Sequence, residues 1–481
     1  MILDHLEPRA PFHYFEAICA IPHGSGNTDA LSDYVARFAA DRGLEHYRDG
    51  LGNVIVVAPA APGYEAAPPV IIQGHLDMVC ARAPGCEKDM TKEGLELFVE
   101  GDTIGARGTS LGGDDGVAVA IALALLDDTS LPRPRLEAVF TVGEETGMGG
   151  ARALDVSPLR GRTMLNLDSE DEGVFTVACA GGARVRLTRV PAREAREGRL
   201  LHLAVEGLLG GHSGTEIHRG RANANKLLGR FLEAMCAAAP VYLVSAAGGA
   251  AENAIPCGSE AVIAAAESDV MPLLDAADRL CALLRREYAT VDPGLRLRAE
   301  AGPLGEIETL TARETGRFIG ALCAAPDGVQ AMSAAMPELP ETSLNLGILS
   351  LDERGWTLHF SLRSSVPEGK PQLIEALRAL AGTAGAELDV SGDYPAWVYR
   401  PGSPLRERMV RIYREMFGAE PVVTAIHAGL ECGILAEKLP GLDCVSIGPN
   451  ISDIHSPAER LHIASMQRTW EFVKEILKQS H

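Results

Sequence analysis

Four short apolar runs, residues 52–58, 69–73, 136–142 and 162–167, constrain the fold of this 481-residue chain more than any other feature. The first three are predominantly apolar and the fourth carries Met164, Leu165 and Leu167, none with strict polar alternation, the pattern of a strand buried on both faces. Before the third run comes residues 117–126, apolar all round, which reads as a buried helix. Buried strands interleaved with helices predict an α/β sheet with covered faces. Near the start, Pro22-His23-Gly24-Ser25-Gly26 breaks a helical pattern, and Asn27 is placed to cap the helix that follows.

After Ala180-Gly181-Gly182 the texture changes to alternating polar and apolar residues, as in Leu201-His202-Leu203-Ala204-Val205, the mark of a half-exposed sheet. Helices are expected at residues 222–238, 271–288 and 371–381, with strands near 344–351 and 356–361. Residues 186–395 therefore read as a separate α+β domain, built from two strand-helix-strand halves. From 396 to 481 the first texture returns, with a helix at 404–417, so a domain opening at residues 1–185 closes with this last part. The length is too great for one core of ordinary size and accommodates such an insertion.

Formal net charge is −21, with 65 acidic against 44 basic residues and no long basic stretch, which argues against nucleic acid as a partner. The longest apolar runs fall short of the roughly 20 residues a membrane-spanning helix needs. The N-terminus is acidic and has no apolar signal core, and the ten cysteines form neither a CxxC pair nor a dense framework. Both features point to reduced thiols in the cytoplasm.

The chemistry concentrates where the apolar runs end. In Gln73-Gly74-His75-Leu76-Asp77 a His and an Asp two apart project from one face, an arrangement that suits a metal-binding imidazole steadied by a carboxylate. Gly113-Asp114-Asp115-Gly116 precedes the buried helix, and Glu144-Glu145 and Asp168-Ser169-Glu170 each follow a strand. His455-Ser456-Pro457 follows the last apolar segment. Each motif alone reads as ordinary capping or turn chemistry. Together they fall at the strand ends where open α/β sheets bind ligands.

His75, Asp114, Glu145, Asp168 and His455 make a two-His, three-carboxylate set that suits two divalent ions, zinc first, with cobalt or manganese as alternatives. Asp114, in a Gly-rich turn, is the expected bridge. One member of the Glu144-Glu145 pair binds metal and the other moves protons, and spacing does not say which.

The combination His75-Leu76-Asp77-Met78, Gly113-Asp114-Asp115-Gly116, Glu144-Glu145, Asp168-Ser169-Glu170 and His455-Ser456-Pro457 resembles the M20 metallopeptidases, and among them the aminoacyl-histidine dipeptidases. Further stretches that carry the likeness are Gly210-Gly211-His212-Ser213-Gly214, Asn223-Ala224-Asn225-Lys226 and His427-Ala428-Gly429-Leu430-Glu431. The resemblance implies a zinc-exopeptidase-like mixed sheet with helices on both faces and an inserted α+β lid domain. It implies that His75 and Asp168 hold one ion, Glu145 and His455 the other, and that Asp114 bridges them. Glu144 becomes the general base and Asp77 the carboxylate that orients His75.

From the lid, the family pattern brings His212 to the oxyanion, in its own or a partner subunit, and Asn253 and Arg363 to the substrate's carboxylate end. A homodimer acting on small peptides is implied as well. One departure is Asp115, where Asn is common among the histidine dipeptidases. The other readings open at this stage are a deacylase or tripeptidase of the same family and a non-catalytic metal-binding protein. Nucleotide binding is not supported, because the Gly-rich segments lack both the Walker and the dinucleotide spacings.

Overall fold

The computed structural model describes residues 2–480. The chain divides into two compact units, one of residues 1–178, 399–425 and 430–481, the other of residues 179–398 and 426–429. The second unit begins ahead of residue 186, where the texture change is read, because the strand Gly181–Arg189 already belongs to its sheet.

The first unit is built on an eight-stranded sheet. Its strands in chain order are β1 (Glu45–Arg48), β2 (Val54–Ala58), β3 (Val70–His75), β4 (Leu136–Thr141), β5 (Thr163–Asn166), β6 (Val174–Cys179), β7 (Val422–Ile426) and β8 (Asp443–Ser446). Their spatial order is β1-β2-β4-β3-β5-β8-β6-β7. The centre, β4-β3-β5-β8, is parallel, while β1, β2 and β6 pair antiparallel, so the sheet is mixed. Every residue of β2, β3 and β4 is buried. Successive side chains point to opposite faces, so both faces of the sheet are covered. All four apolar runs form strands here.

The helix Gly113–Asp127 packs on β3 and on the helix Arg9–Cys19. A Cβ added at Gly74 would lie 2.4 Å from Ala118 Cβ and 2.5 Å from Asp115 Oδ2, so the absent side chain is what lets this helix approach the end of β3. Asn27 does not cap the next helix. Thr28 holds the N-cap of Asp29–Asp41 without a side-chain bond, and Asn27 Nδ2 donates instead to the Thr91 carbonyl at 3.0 Å.

The second unit carries a nine-stranded sheet whose recorded pairings are all antiparallel. Gly355–Ser364 at its middle alternates half-buried and buried residues. The inward positions join the helices Ala224–Ala238, Val270–Glu287, Ala312–Ala324 and Gly369–Ala384 in one apolar core. That is the α+β architecture expected of the inserted segment. Among the described residues, no helix is long and apolar enough to cross a membrane.

Candidate metal centre

Because β4, β3, β5 and β8 run parallel, their C-terminal ends share one edge of the sheet. His75 is the last residue of β3, Glu144 and Glu145 follow β4, Asp168 follows β5, and His455 lies on the segment after β8. Residues hundreds of positions apart thereby meet. His75 Nε2 lies 3.1 Å from Asp114 Oδ1 and 3.8 Å from Asp168 Oδ1. His455 Nε2 lies 3.1 Å from Asp114 Oδ2 and 2.8 Å from Glu145 Oε1. One carboxylate thus faces both imidazoles, an oxygen to each. His455 takes up its position with φ at +59°, a left-handed backbone uncommon outside glycine.

Supporting groups hold these side chains in place. His75 Nδ1 donates to the Asp77 carbonyl oxygen at 2.9 Å, with the Asp77 carboxylate at 3.6 Å. The orienting bond expected of the Asp77 side chain is thus made by its backbone. The Asp77 carboxylate accepts from Ser25 Oγ at 2.8 Å and from the Glu144 backbone N–H at 3.1 Å, tying the β3 end to the Glu144-Glu145 turn. Asp115 Oδ2 accepts from the His75 backbone N–H at 3.0 Å.

Glu459, almost fully buried, accepts from the backbone N–H groups of Leu111, Gly112 and Gly113 at 2.7, 3.1 and 2.8 Å. It clamps the loop that delivers Asp114. Sequence reasoning passed over Glu459. It stands four residues after His455, with nothing in the local pattern to mark it as buried.

Acidic groups crowd this strand edge. Burial raises the Asp168 and Asp115 carboxyls well above the usual carboxylate range. Burial, and then the neighbouring Glu431 and Glu145 charges, push Glu144 up to about 8 despite the opposing His75 ring. Hydrogen bonds to Asp114 and Glu145 lift His455 to about 10. Burial acts to raise Asp114, but His455 and His75 outweigh it and hold that carboxyl below its ordinary value. The two imidazoles face these crowded acids, and buried carboxylates need pairing or a metal.

Ligand atoms of His75, Asp114 and Glu145 lie within 4.8 Å of one another, as do those of His75, Asp115 and Asp168. Glu145 Oε1 is buried, and its partner is His455 Nε2 at 2.8 Å. These donors are of the type and density that divalent ions take.

The second unit gathers a cluster of its own. A Cβ at Gly214 would lie 3.0 Å from both Arg363 Nε and His212 Cε1 and 2.5 Å from the His427 carbonyl oxygen. Arg363 is buried, its Nη1 donates to Tyr394 Oη at 3.3 Å, and its Nε has no hydrogen-bond partner. His212 Nδ1 accepts from the Gly214 and Thr215 N–H groups, which leaves its Nε2 as the proton-bearing donor. Burial, then Arg363, lowers its pKa and keeps the ring neutral. His427 Nε2 is 2.7 Å from Ser343 Oγ. Asn253 is exposed, and its carbonyl accepts from the Ser213 N–H at 2.8 Å. His427 and Tyr394 are additions to the residues predicted here.

A mixed α/β sheet whose parallel strand ends gather two histidines around a shared carboxylate defines the class of the metal-dependent hydrolases. Residues 71–479 match the model of peptidase family M20/M25/M40, and the chain belongs to that family. It is a peptide-bond hydrolase, and the family implies divalent metal ions.

The chain is 36% identical over 481 residues, 99% of each sequence, to the cytosol non-specific dipeptidase of Escherichia coli (strain K12). Its structure is similar to that of aminoacylhistidine dipeptidase from Vibrio alginolyticus, with a TM-score of 0.90, 34% identity and coverage of 99% and 97% of the two chains. An aminopeptidase from Bacillus cereus, at 16% identity, a TM-score of 0.56 and 99% coverage of each chain, shares the fold.

Proposed function

We propose that this protein is a dipeptidase that hydrolyses Xaa-His and related dipeptides with two divalent ions, zinc foremost. The observation that carries this reading is Asp114 facing both His75 and His455 through separate oxygens. His75 and Asp168 would hold one ion, Glu145 and His455 the other, with Asp114 shared. When bound, the ions polarise the scissile carbonyl and acidify the attacking water.

Glu144 acts as general base, taking a proton from that water and passing it to the leaving amine. Asp77 and Asp115 position His75. From the second unit of its own or a partner chain, the neutral His212 would offer Nε2–H to the developing oxyanion. The Arg363 guanidinium binds the peptide's terminal carboxylate, and Asn253 completes that subsite. The E. coli relative's name supports a cytoplasmic location, and a homodimer is the expected assembly.

The test is histidine release from Ala-His and β-Ala-His by chelator-stripped protein resupplied with zinc, cobalt or manganese, with N-acetyl-Ala-His as the control. Metal-restored cleavage of the free dipeptides alone supports the reading. Preferred cleavage of the acetylated control would move the protein to the deacylases, and tripeptide preference would make it a tripeptidase.

A further inference from the structure

Beneath the ligands lies a second polar layer that neither the metal set nor the general base uses. Glu431, first residue of the helix Glu431–Lys438, is fully buried. Its Oε2 accepts from Thr141 Oγ1 at 2.5 Å and from Gln73 Nε2 at 2.7 Å. Gln73 Oε1 in turn accepts from Asn166 Nδ2 at 2.6 Å. Thr141 and Asn166 close β4 and β5, and Gln73 stands two residues before the end of β3.

Side-chain direction repeats every two residues along a strand, so Gln73 lies one step below His75 on the same face. Thr141 precedes Glu144 by one turn, and Asn166 precedes Asp168 by two residues. A primary amide has a direction: with an acceptor at 431, Gln73 turns its NH2 there and its oxygen to Asn166. Reverse that amide and both of its bonds become clashes.

Stability does not account for Glu431. Its hydrogen-bond partners are neutral, and its Oε1 is buried without a partner. An apolar side chain of similar volume would avoid that desolvation cost.

We propose that Glu431 is a positioning residue for hydrolysis: through Thr141, Gln73 and Asn166 it locks the C-terminal ends of β3, β4 and β5 together and so sets where His75, Glu144 and Asp168 stand. This rests on reading the cluster above as the catalytic metal centre. Outer partners of metal ligands typically govern affinity or activity by about 10- to 100-fold. Glu431 reaches its ligands through strand backbone, so the lower end of that range applies.

The experiment measures zinc affinity by chelator competition, alongside kcat and KM for Ala-His, in the full-length protein and in Glu431→Gln, Glu431→Met, Gln73→Met and the Glu431→Met/Gln73→Met double variant. Glu431→Gln keeps an acceptor toward Thr141 and Gln73 and should stay within about threefold of wild type. Glu431→Met should weaken zinc binding by about tenfold and lower kcat similarly, with KM within about twofold. The double variant should be no worse than the poorer single one, because both break the same chain.

Should Glu431→Met not fold, Thr141→Val removes one donor at nearly constant volume and should lower zinc affinity by about five- to tenfold. Wild-type affinity in Glu431→Met, or in Thr141→Val where that variant stands in, overturns the proposal. So does equal damage from Glu431→Gln, which would trace the effect to charge. Zinc binding without cleavage of any dipeptide by wild type would sink the dipeptidase reading, and the affinity series would still decide the role of Glu431.

Discussion

Replacing Glu459 by Gln should loosen the loop that presents Asp114. Glu459 Oε2 accepts from Leu111 and Gly112, and Oε1 accepts from Gly113. Gln has one carbonyl oxygen, so with that oxygen toward Leu111 and Gly112 its NH2 confronts the Gly113 N–H, donor against donor. A buried N–H left without an acceptor costs about 1–3 kcal/mol. At 1.4 kcal/mol per factor of ten, the amide of Gly113 should exchange with solvent about 5- to 140-fold faster.

Glu459→Ala removes all three acceptors and should speed exchange at Leu111, Gly112 and Gly113 together. Gly112 sits at φ +66°, and a Cβ there would meet Met78 Sδ at 2.8 Å, so the loop needs glycine at this position. Hydrogen exchange resolved on peptides spanning residues 108–116 reads the effect directly, and zinc affinity measured in parallel reads its consequence for Asp114. Exchange at Gly113 within about threefold of wild type in Glu459→Gln, or Glu459→Ala no looser than Glu459→Gln, would refute the clamp.

Other outcomes can be stated briefly. Glu144→Gln should lower kcat by about 10²- to 10⁴-fold while bound zinc, measured by elemental analysis, is unchanged. Activity within tenfold of wild type would remove Glu144 as the base. Arg363→Met should raise KM for Ala-His by about 10- to 100-fold, the loss of a charge-assisted bond. The C-terminally amidated peptide should not distinguish the two proteins, and a parallel loss on the amide would contradict carboxylate binding.

Burial raises Asp327 to about 6. The folded state therefore binds this proton more tightly than the unfolded chain. The stability it contributes is complete below about pH 4 and lost by about pH 6, roughly 3 kcal/mol in all. Asp327→Asn should match wild type in thermal melts near pH 4 and exceed it above pH 6. A constant difference across that range would show that Asp327 does not titrate there.

Much of the first unit's sheet could be read from the chain because a strand covered on both faces needs an apolar run, a local property. The motifs that end those runs were legible for a related reason: His, Asp and Glu directly after a buried strand are costly unless something binds there. Asn27 was misread because capping depends on which backbone N–H groups come within reach, and the chain turns its side chain to Thr91 instead.

Only the tertiary structure brings His455 to Asp114, 341 positions away, and gives each oxygen of that carboxylate to a different histidine. It alone reveals Glu459 and Glu431 as buried acceptors, since an acidic residue looks the same in sequence whether it faces water or the interior. The physical reason is range. Strand and helix patterns record each residue's own preference for burial, whereas a ligand set and its supporting bonds exist only between residues that the parallel sheet has carried to a common edge.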